Sequence, residues 1–241
     1  MRIKTVLFDL DGTLLPMDQE KFTEGYFGLL AAKMKSVGYS AKELVDGVWA
    51  GTAAMVKNDG GQSNEAVFWR SFAGLFGEKA LADRPLFDAF YSNEFQQARA
   101  FCGHNPQAAE AVRAMTAAGV RVALATNPIF PAAGTQTRIR WTGLEPEEFA
   151  LCTTYENSRY CKPNLNYYRD ILSTLGCPAQ ECLMVGNDVA EDMVAEELGM
   201  KVFLLTDCLI NREGKDLARY PHGGFAELME FWRALEGSDR Q

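Results

Sequence analysis

The 241 residues allow one or two domains and a sizeable buried core. Hydrophobic content of 47% and charged content of 23% are ordinary for a globular enzyme, while a net charge of -8 without any basic block excludes a nucleic-acid partner held by phosphate contacts. No apolar run is long enough to span a bilayer and no signal peptide precedes the first strand. The expectation is a cytoplasmic protein with reduced thiols and no membrane partner. The cysteines, Cys102, Cys152, Cys161, Cys177, Cys182 and Cys208, form no CxxC pair. Only His104 and His222 could join them around zinc, and neither has ligand spacing. Cys102, Cys152 and Cys182 lie in or beside apolar stretches and read as small core residues.

The predicted elements begin with a strand at Thr5–Phe8. From Asp18 to about Ala100 the pattern is helical throughout. Phe22, Tyr26, Leu29, Leu30 and Met34 keep helical spacing and stop near Gly38. Ser40 caps a second helix with Leu44, Val48 and Trp49 on one face. After a break at Asn58-Asp59-Gly60-Gly61, Ser63 caps a third helix running to Phe76, and Leu86–Ala98 is a fourth. Then the rhythm changes. Pro106 starts a helix over Ala108–Ala118 that Gly119 ends, and Val120–Ala125 is a buried strand. A short strand follows within Glu147–Cys152, then a helix at Leu165–Leu175, a strand at Cys182–Val185 and a helix at Ala190–Leu198. Lys201–Leu205 is a last strand and Phe225–Leu235 a final helix. Strands alternating with helices predict an α/β fold with a doubly wound parallel sheet.

Three of these strands end in residues able to do chemistry: Asp9 and Asp11, Thr126 and Asn127, Asn187 and Asp188. In an open parallel sheet such ends share one edge, where ligands bind. Period-two alternation points Asp9 and Asp11 the same way. Two like charges so placed repel unless a cation lies between them, and a divalent ion is the obvious candidate. Gly12 lets the chain turn, and Thr13 supplies a hydroxyl there.

Asp9-Leu10-Asp11-Gly12-Thr13, Thr126-Asn127, Lys162-Pro163 and Gly186-Asn187-Asp188 through Asp192, in this order, resemble the four motifs of the haloacid dehalogenase superfamily. The resemblance implies a Rossmann-like core, residues 1–16 and 102–241, and an inserted all-helical cap, residues 17–101. It implies that Asp9 is a nucleophile forming an aspartyl phosphate and Asp11 a general acid and then base. Thr126 and Asn127 would bind phosphoryl oxygens, Asn127 through its amide, and Lys162 would neutralise Asp9 and the phosphoryl group. The cofactor would be Mg2+, held by the Asp9 carboxylate, the Asp11 carbonyl and Asp188. Asp192 would act through a water or orient Lys162. Because the family usually places Asp directly after Gly, Asn187 stays open as an alternative ligand.

The family's dehalogenase branch lacks an Asp at the place of Asp11, so Asp11 favours phosphoryl transfer. The implied activity is that of a magnesium-dependent phosphatase acting on a small phosphorylated metabolite. A phosphomutase and a phospho-aspartate signalling module are the other readings, and oligomeric state is left open. Within the insertion, Lys57 to Gly61 reads as an exposed turn in preference to a loop entering the site. Phe68, Trp69, Phe72 and Phe76 read as cap core in preference to a stacking surface. His104 and His222 fall in no motif and serve structure or surface.

Overall fold

Every residue of the strand β1 (Thr5–Phe8) is buried, because it lies inside the sheet with a strand on either side and helices cover both of its faces. The computed structural model describes residues 2–237. The other strands are β2 (Arg121–Leu124), β3 (Cys182–Gly186), β4 (Lys201–Leu205) and β5 (His222–Gly223). Their order is β2-β1-β3-β4-β5, with all pairings parallel. The chain leaves β1 for β2 on one side and returns to β3 on the other. The strand order therefore reverses beside β1, and the crevice at its carboxyl end is where a doubly wound sheet binds ligands.

Side-chain alternation divides the core into two layers. Val6, Phe8, Leu183, Val185 and Phe203 face one way, toward helices α6 (Pro106–Ala117) and α9 (Phe225–Gly237). Leu7, Ala123, Met184 and Leu204 face the other, toward Tyr167, Tyr168 and Ile171 of α8 (Leu165–Leu175) and toward Met193. Among the described residues no helix is long and apolar enough to cross a membrane.

Between β1 and β2 the chain is helical: α1 (Gln19–Met34), α2 (Ala41–Val56), α3 (Asn64–Phe76), α4 (Glu78–Ala82), α5 (Arg84–Ser92) and a 3-10 segment, Glu94–Phe101. Their starts follow from local chemistry. Asp18 accepts the amides of Glu20 and Lys21, Ser40 that of Glu43, and Ser63 that of Ala66. The insertion is held by aromatic packing: the Phe72 ring lies 4.6 Å from Phe76 and 5.4 Å from Phe87. Phe22, Leu30, Phe90 and Phe95 continue into the same apolar cluster as Val6 and Phe8, so insertion and sheet share one core.

Several expectations need correction. The helix expected over Leu86–Ala98 breaks at Asn93, whose φ of -121° and ψ of -88° are not helical. The strand expected within Glu147–Cys152 begins as a 3-10 turn, Pro146–Glu148, and then makes a single parallel bridge from Cys152 to Leu124. Hydrogen bonds from Leu124 to Leu151 and from Ala150 to Val122 tie it to β2 without extending the sheet ladder further. The helix expected over Ala190–Leu198 is only a 3-10 segment, Met193–Leu198, because the side chains of Asp188 and Asp192 hold the preceding residues in a turn. A helix the sequence pattern did not declare, α7 (Ala132–Trp141), follows β2. It has no side-chain cap and its buried residues include glycine, threonine and arginine, so it shows no apolar stripe. The Lys57 to Gly61 turn is exposed at Lys57, Asp59 and Gly61 but not throughout. Asn58 and Gly60 are buried, with Asn58 bonded to Asn64 at 2.9 Å.

Candidate active site

The residues at the carboxyl ends of β1, β2 and β3 line one polar cleft of about 160 Å3: Asp9, Asp11, Thr126, Asn127, Asn187 and Asp188 among them. Asp9 stands on the last rung of the sheet. Its amide donates to the Val185 carbonyl at 2.9 Å, while its side chain, nearly buried, leaves the ladder for the cleft.

Lys162 comes from the loop before α8 and its side chain has no exposure to solvent. Its Nζ donates to Asp9 Oδ1 at 2.9 Å and to Asp192 Oδ1 at 2.7 Å. Burial would strip the proton from a lone lysine, but the carboxylates of Asp192 and Asp9 outweigh that and hold the ammonium well above its usual range. Lys162 is thus a fixed positive charge beside Asp9. Asp192 in turn accepts the Asp188 amide at its other oxygen, 3.0 Å away. The contact between Asp192 and Lys162 is direct.

The turn after β1 is set by Gly12, whose φ of +86° suits glycine. A Cβ there would lie 2.2 Å from Asn187 Nδ2. The Thr13 hydroxyl sits 3.0 Å from both Asp9 Oδ2 and Asn187 Oδ1, so its single proton serves one of them at a time. Asn187 also donates to the Cys208 carbonyl at 2.6 Å. Its amide is thereby occupied in bracing the loops around β3. Asp188 uses Oδ1 to accept the amides of Ala190 and Glu191 at 2.8 and 3.0 Å, which leaves Oδ2 for another partner.

Thr126 and Asn127 are fixed through their neighbours. The Tyr167 hydroxyl donates to the Thr126 carbonyl at 2.8 Å. Asn127 accepts the Lys162 amide at 3.3 Å and donates to Glu191 Oε2 at 3.0 Å. Burial pushes the Glu191 carboxyl up to about 7, against the pull of Lys162.

Asp11 has a partner that the sequence did not disclose. Arg138, on α7, is completely buried and forms an ion pair with Asp11 Oδ2. The Arg138 guanidinium lies 4.1 Å from the Phe130 ring, and its Nε donates to the Gly134 carbonyl at 3.3 Å. No motif flags it, because an arginine within a helix is ordinarily exposed. Asp11 Oδ1 is buried without a hydrogen-bond partner among the described residues. Burial raises the Asp11 carboxyl above its usual range although Arg138 pulls it down.

The donor set suits a hard cation. Asp9, Asp11, Asp188, Glu191 and Asp192 line the cleft, against the buried cations Lys162 and Arg138. An anionic ligand entering so acidic a cleft needs added positive charge. The unpartnered oxygen of Asp11 and the remaining oxygen of Asp188 are hard donors. Among the described residues, however, no three His, Cys, Asp or Glu side chains converge as a ready-made metal site. A bound ion would therefore take much of its coordination from backbone, water and ligand, as magnesium does.

Residues 3–199 match the protein family described as haloacid dehalogenase-like hydrolase. No sequence match was found among curated proteins. Among solved structures the chain is similar to the 2-haloacid dehalogenase from Pseudomonas syringae pv. Tomato DC3000, with 20% identity, a TM-score of 0.62 and coverage of 96% of this chain and 99% of that one. It is also similar to a predicted phosphoglycolate phosphatase from Haemophilus somnus 129pt, with 17% identity, a TM-score of 0.58 and coverage of 96% and 98%. A third similar structure is YfnB from Bacillus subtilis bound to magnesium, with 15% identity, a TM-score of 0.56 and coverage of 96% and 99%. At these identities the likeness establishes the fold. The family match extends over most of the sequence and takes in every strand end that lines the cleft, and by it the chain belongs to the haloacid dehalogenase-like hydrolases.

Proposed function

We propose that the protein is a magnesium-dependent phosphatase that hydrolyses a small phosphomonoester through an aspartyl-phosphate intermediate. The observation that carries this reading is the pairing of Asp9 and Asp11 on one cleft, with Lys162 held charged against Asp9 and Asp11 kept apart by Arg138. Asp9 attacks phosphorus, and the bond from phosphorus to the ester oxygen breaks. Asp11, whose raised carboxyl retains a proton more readily than usual, protonates the departing oxygen. Water then attacks the aspartyl phosphate, Asp11 takes its proton, and inorganic phosphate leaves. Lys162 neutralises Asp9 as phosphate approaches, while the Thr126 hydroxyl and the Asn127 amide bind phosphoryl oxygens.

Asp9, the Asp11 carbonyl and Asp188 would hold a magnesium ion, which would supply the positive charge that an anionic substrate needs in this cleft. The magnesium bound by YfnB supports that assignment on the same fold. Residues 17–101 act as a cap that keeps bulk water from the first step.

Asp9→Asn should abolish phosphate release from p-nitrophenyl phosphate in the presence of magnesium, with an unchanged circular dichroism spectrum. Full activity in that variant refutes the reading. Release of free phosphate, in preference to a rearranged ester, separates a phosphatase from a phosphomutase. Rapid turnover separates it from a phospho-aspartate signalling module.

A further inference from the structure

The polar cleft adjoins a second, larger space, a cavity of about 240 Å3 between the helical insertion and the sheet edge. Asp11, Gln19 and Ile129 line both. A substrate whose phosphoryl group sits against Asp9 therefore has its leaving oxygen at Asp11 and the rest of its body in the cavity.

The walls of that cavity are aromatic: Phe22, Tyr26, Phe68, Trp69, Phe130 and Tyr155 contribute to it. Their polar tips are partly engaged with one another. The Tyr26 hydroxyl pairs with that of Tyr91 at 2.9 Å, and Trp69 Nε1 donates to the Tyr155 hydroxyl at 3.4 Å. No lysine or arginine is among the lining residues. Arg138 lies against the Phe130 ring and is engaged with Asp11, and Arg84 stacks on Trp69 while paired with Glu65. The charged side chains that do line the cavity, Asp11 and Asp88, are acidic.

An anionic group placed there would be buried without a counter-charge, which is strongly unfavourable. A sugar would find a few polar side chains, Gln19, Thr23, Thr52 and Asp88, on walls that are otherwise rings and aliphatic groups, too few to pair all of its hydroxyls. An apolar group gains from burial, and a dry apolar cavity of about 150 Å3 is already large enough for benzene.

We infer that the natural substrate is the phosphate monoester of a neutral, apolar alcohol, aromatic or branched in its body and carrying no second anionic group. This inference rests on the phosphatase reading and narrows it. A phosphoglycolate or a bisphosphate would put a carboxylate or phosphate where the lining holds rings, aliphatic groups, Gln19, Thr23, Thr52 and Asp88 but no cation.

The test compares kcat/KM, with magnesium, for 2-phenylethyl phosphate, glycerol 1-phosphate, phosphoglycolate, a sugar bisphosphate and phosphocholine. Acetyl phosphate, which has almost no body to place in the cavity, reports the chemistry alone. The phenylethyl ester should exceed glycerol 1-phosphate and the two substrates that carry a second anionic group by about 100-fold, the worth of burying one phenyl ring. Thr52→Trp fills part of the cavity from α2 and should lower the ratio of phenylethyl phosphate to acetyl phosphate hydrolysis at least about tenfold. Acetyl phosphate turnover with phosphoglycolate or the bisphosphate as the best ester would overturn the inference and leave the phosphatase reading standing. Phosphocholine as the best ester would overturn it too, in favour of a cation held by the rings and Asp88. Inertness toward acetyl phosphate and every ester would overturn both.

Discussion

At the scale of single residues, the site depends on three buried charges that hold one another. Lys162 stays charged because Asp9 and Asp192 flank it, and Asp192 is placed by the Asp188 amide. That placement requires the absence of a side chain at Gly186, where a Cβ would fall 2.1 Å from Asp192 Oδ2. Gly186→Ala removes no charge but must push Asp192 away from Lys162. Phosphate release should fall at least about 100-fold, since displacements of about 1 Å at a reacting group cost that much, and overpacking should lower stability by about 1–3 kcal/mol. Steady-state kinetics beside urea unfolding checks both. Arg138 acts through Asp11 as a positioning residue. Arg138→Met should slow hydrolysis of an alkyl phosphate about 100-fold, because a poor leaving group needs the proton that Asp11 supplies. An activated p-nitrophenyl ester needs little protonation and should lose less than about threefold. Equal losses on both esters would show that Arg138 matters only for folding.

At the scale of elements, the insertion is tied to the sheet edge by an amide relay as well as by its apolar core. Asn64, fully buried at the start of α3, donates to the Pro128 carbonyl at 3.2 Å and accepts from Asn58 at 2.9 Å. Asn58 in turn holds the Gly60 amide at 3.1 Å, and Gly60, at a φ of +91°, packs where a Cβ would strike the Tyr160 ring. Pro128 and Tyr160 adjoin Asn127 and the Cys161–Lys162 loop, so the relay holds the insertion beside the cleft. Asn64→Ala leaves buried partners unpaired and should cost about 1–3 kcal/mol. Differential scanning calorimetry should show a Tm lower by about 2–10 °C. An unchanged Tm would mean that the apolar core alone fixes the insertion.

At the scale of the whole molecule, the buried phenols set an alkaline limit. Burial raises Tyr26 to about 12 and Tyr91, Tyr167 and Tyr168 above the usual phenol range as well. Below pH about 10 both folded and unfolded chains keep these protons, and the phenols leave stability unaffected. Above it the unfolded chain loses them first, so each phenol costs about 1.4 kcal/mol per pH unit until its folded value is reached. The urea midpoint should begin to fall above pH about 8.5, where the unfolded chain ionises the thiols of Cys102, Cys152, Cys161 and Cys182 that burial keeps protonated in the fold, and fall more steeply by pH 11 as the phenols join. A midpoint still level at pH 11 would show that these groups ionise freely in the folded protein.

The sequence by itself determined the α/β alternation, the helical insertion and the order of the strand ends that carry Asp9, Thr126 and Asn187. Apolar runs, caps and terminal glycines are local signals, and each acts within a few residues. Asp9 and Asp11 were legible for the same reason, since two carboxylates at the end of a buried strand cannot pass for ordinary surface. What only the tertiary structure decided were contacts between distant segments: Arg138 on Asp11, the Asn58–Asn64 relay onto Pro128, and the aromatic cavity that opens at Asp11. Arg138 lies 127 residues from its partner, in a helix without an apolar stripe. The strand within Glu147–Cys152 and the helix over Ala190–Leu198 shortened for a related reason. Local propensity proposed regular elements there; hydrogen bonds to the neighbouring strand left room for a single bridge in the first, and the side chains of Asp188 and Asp192 held the start of the second in a turn.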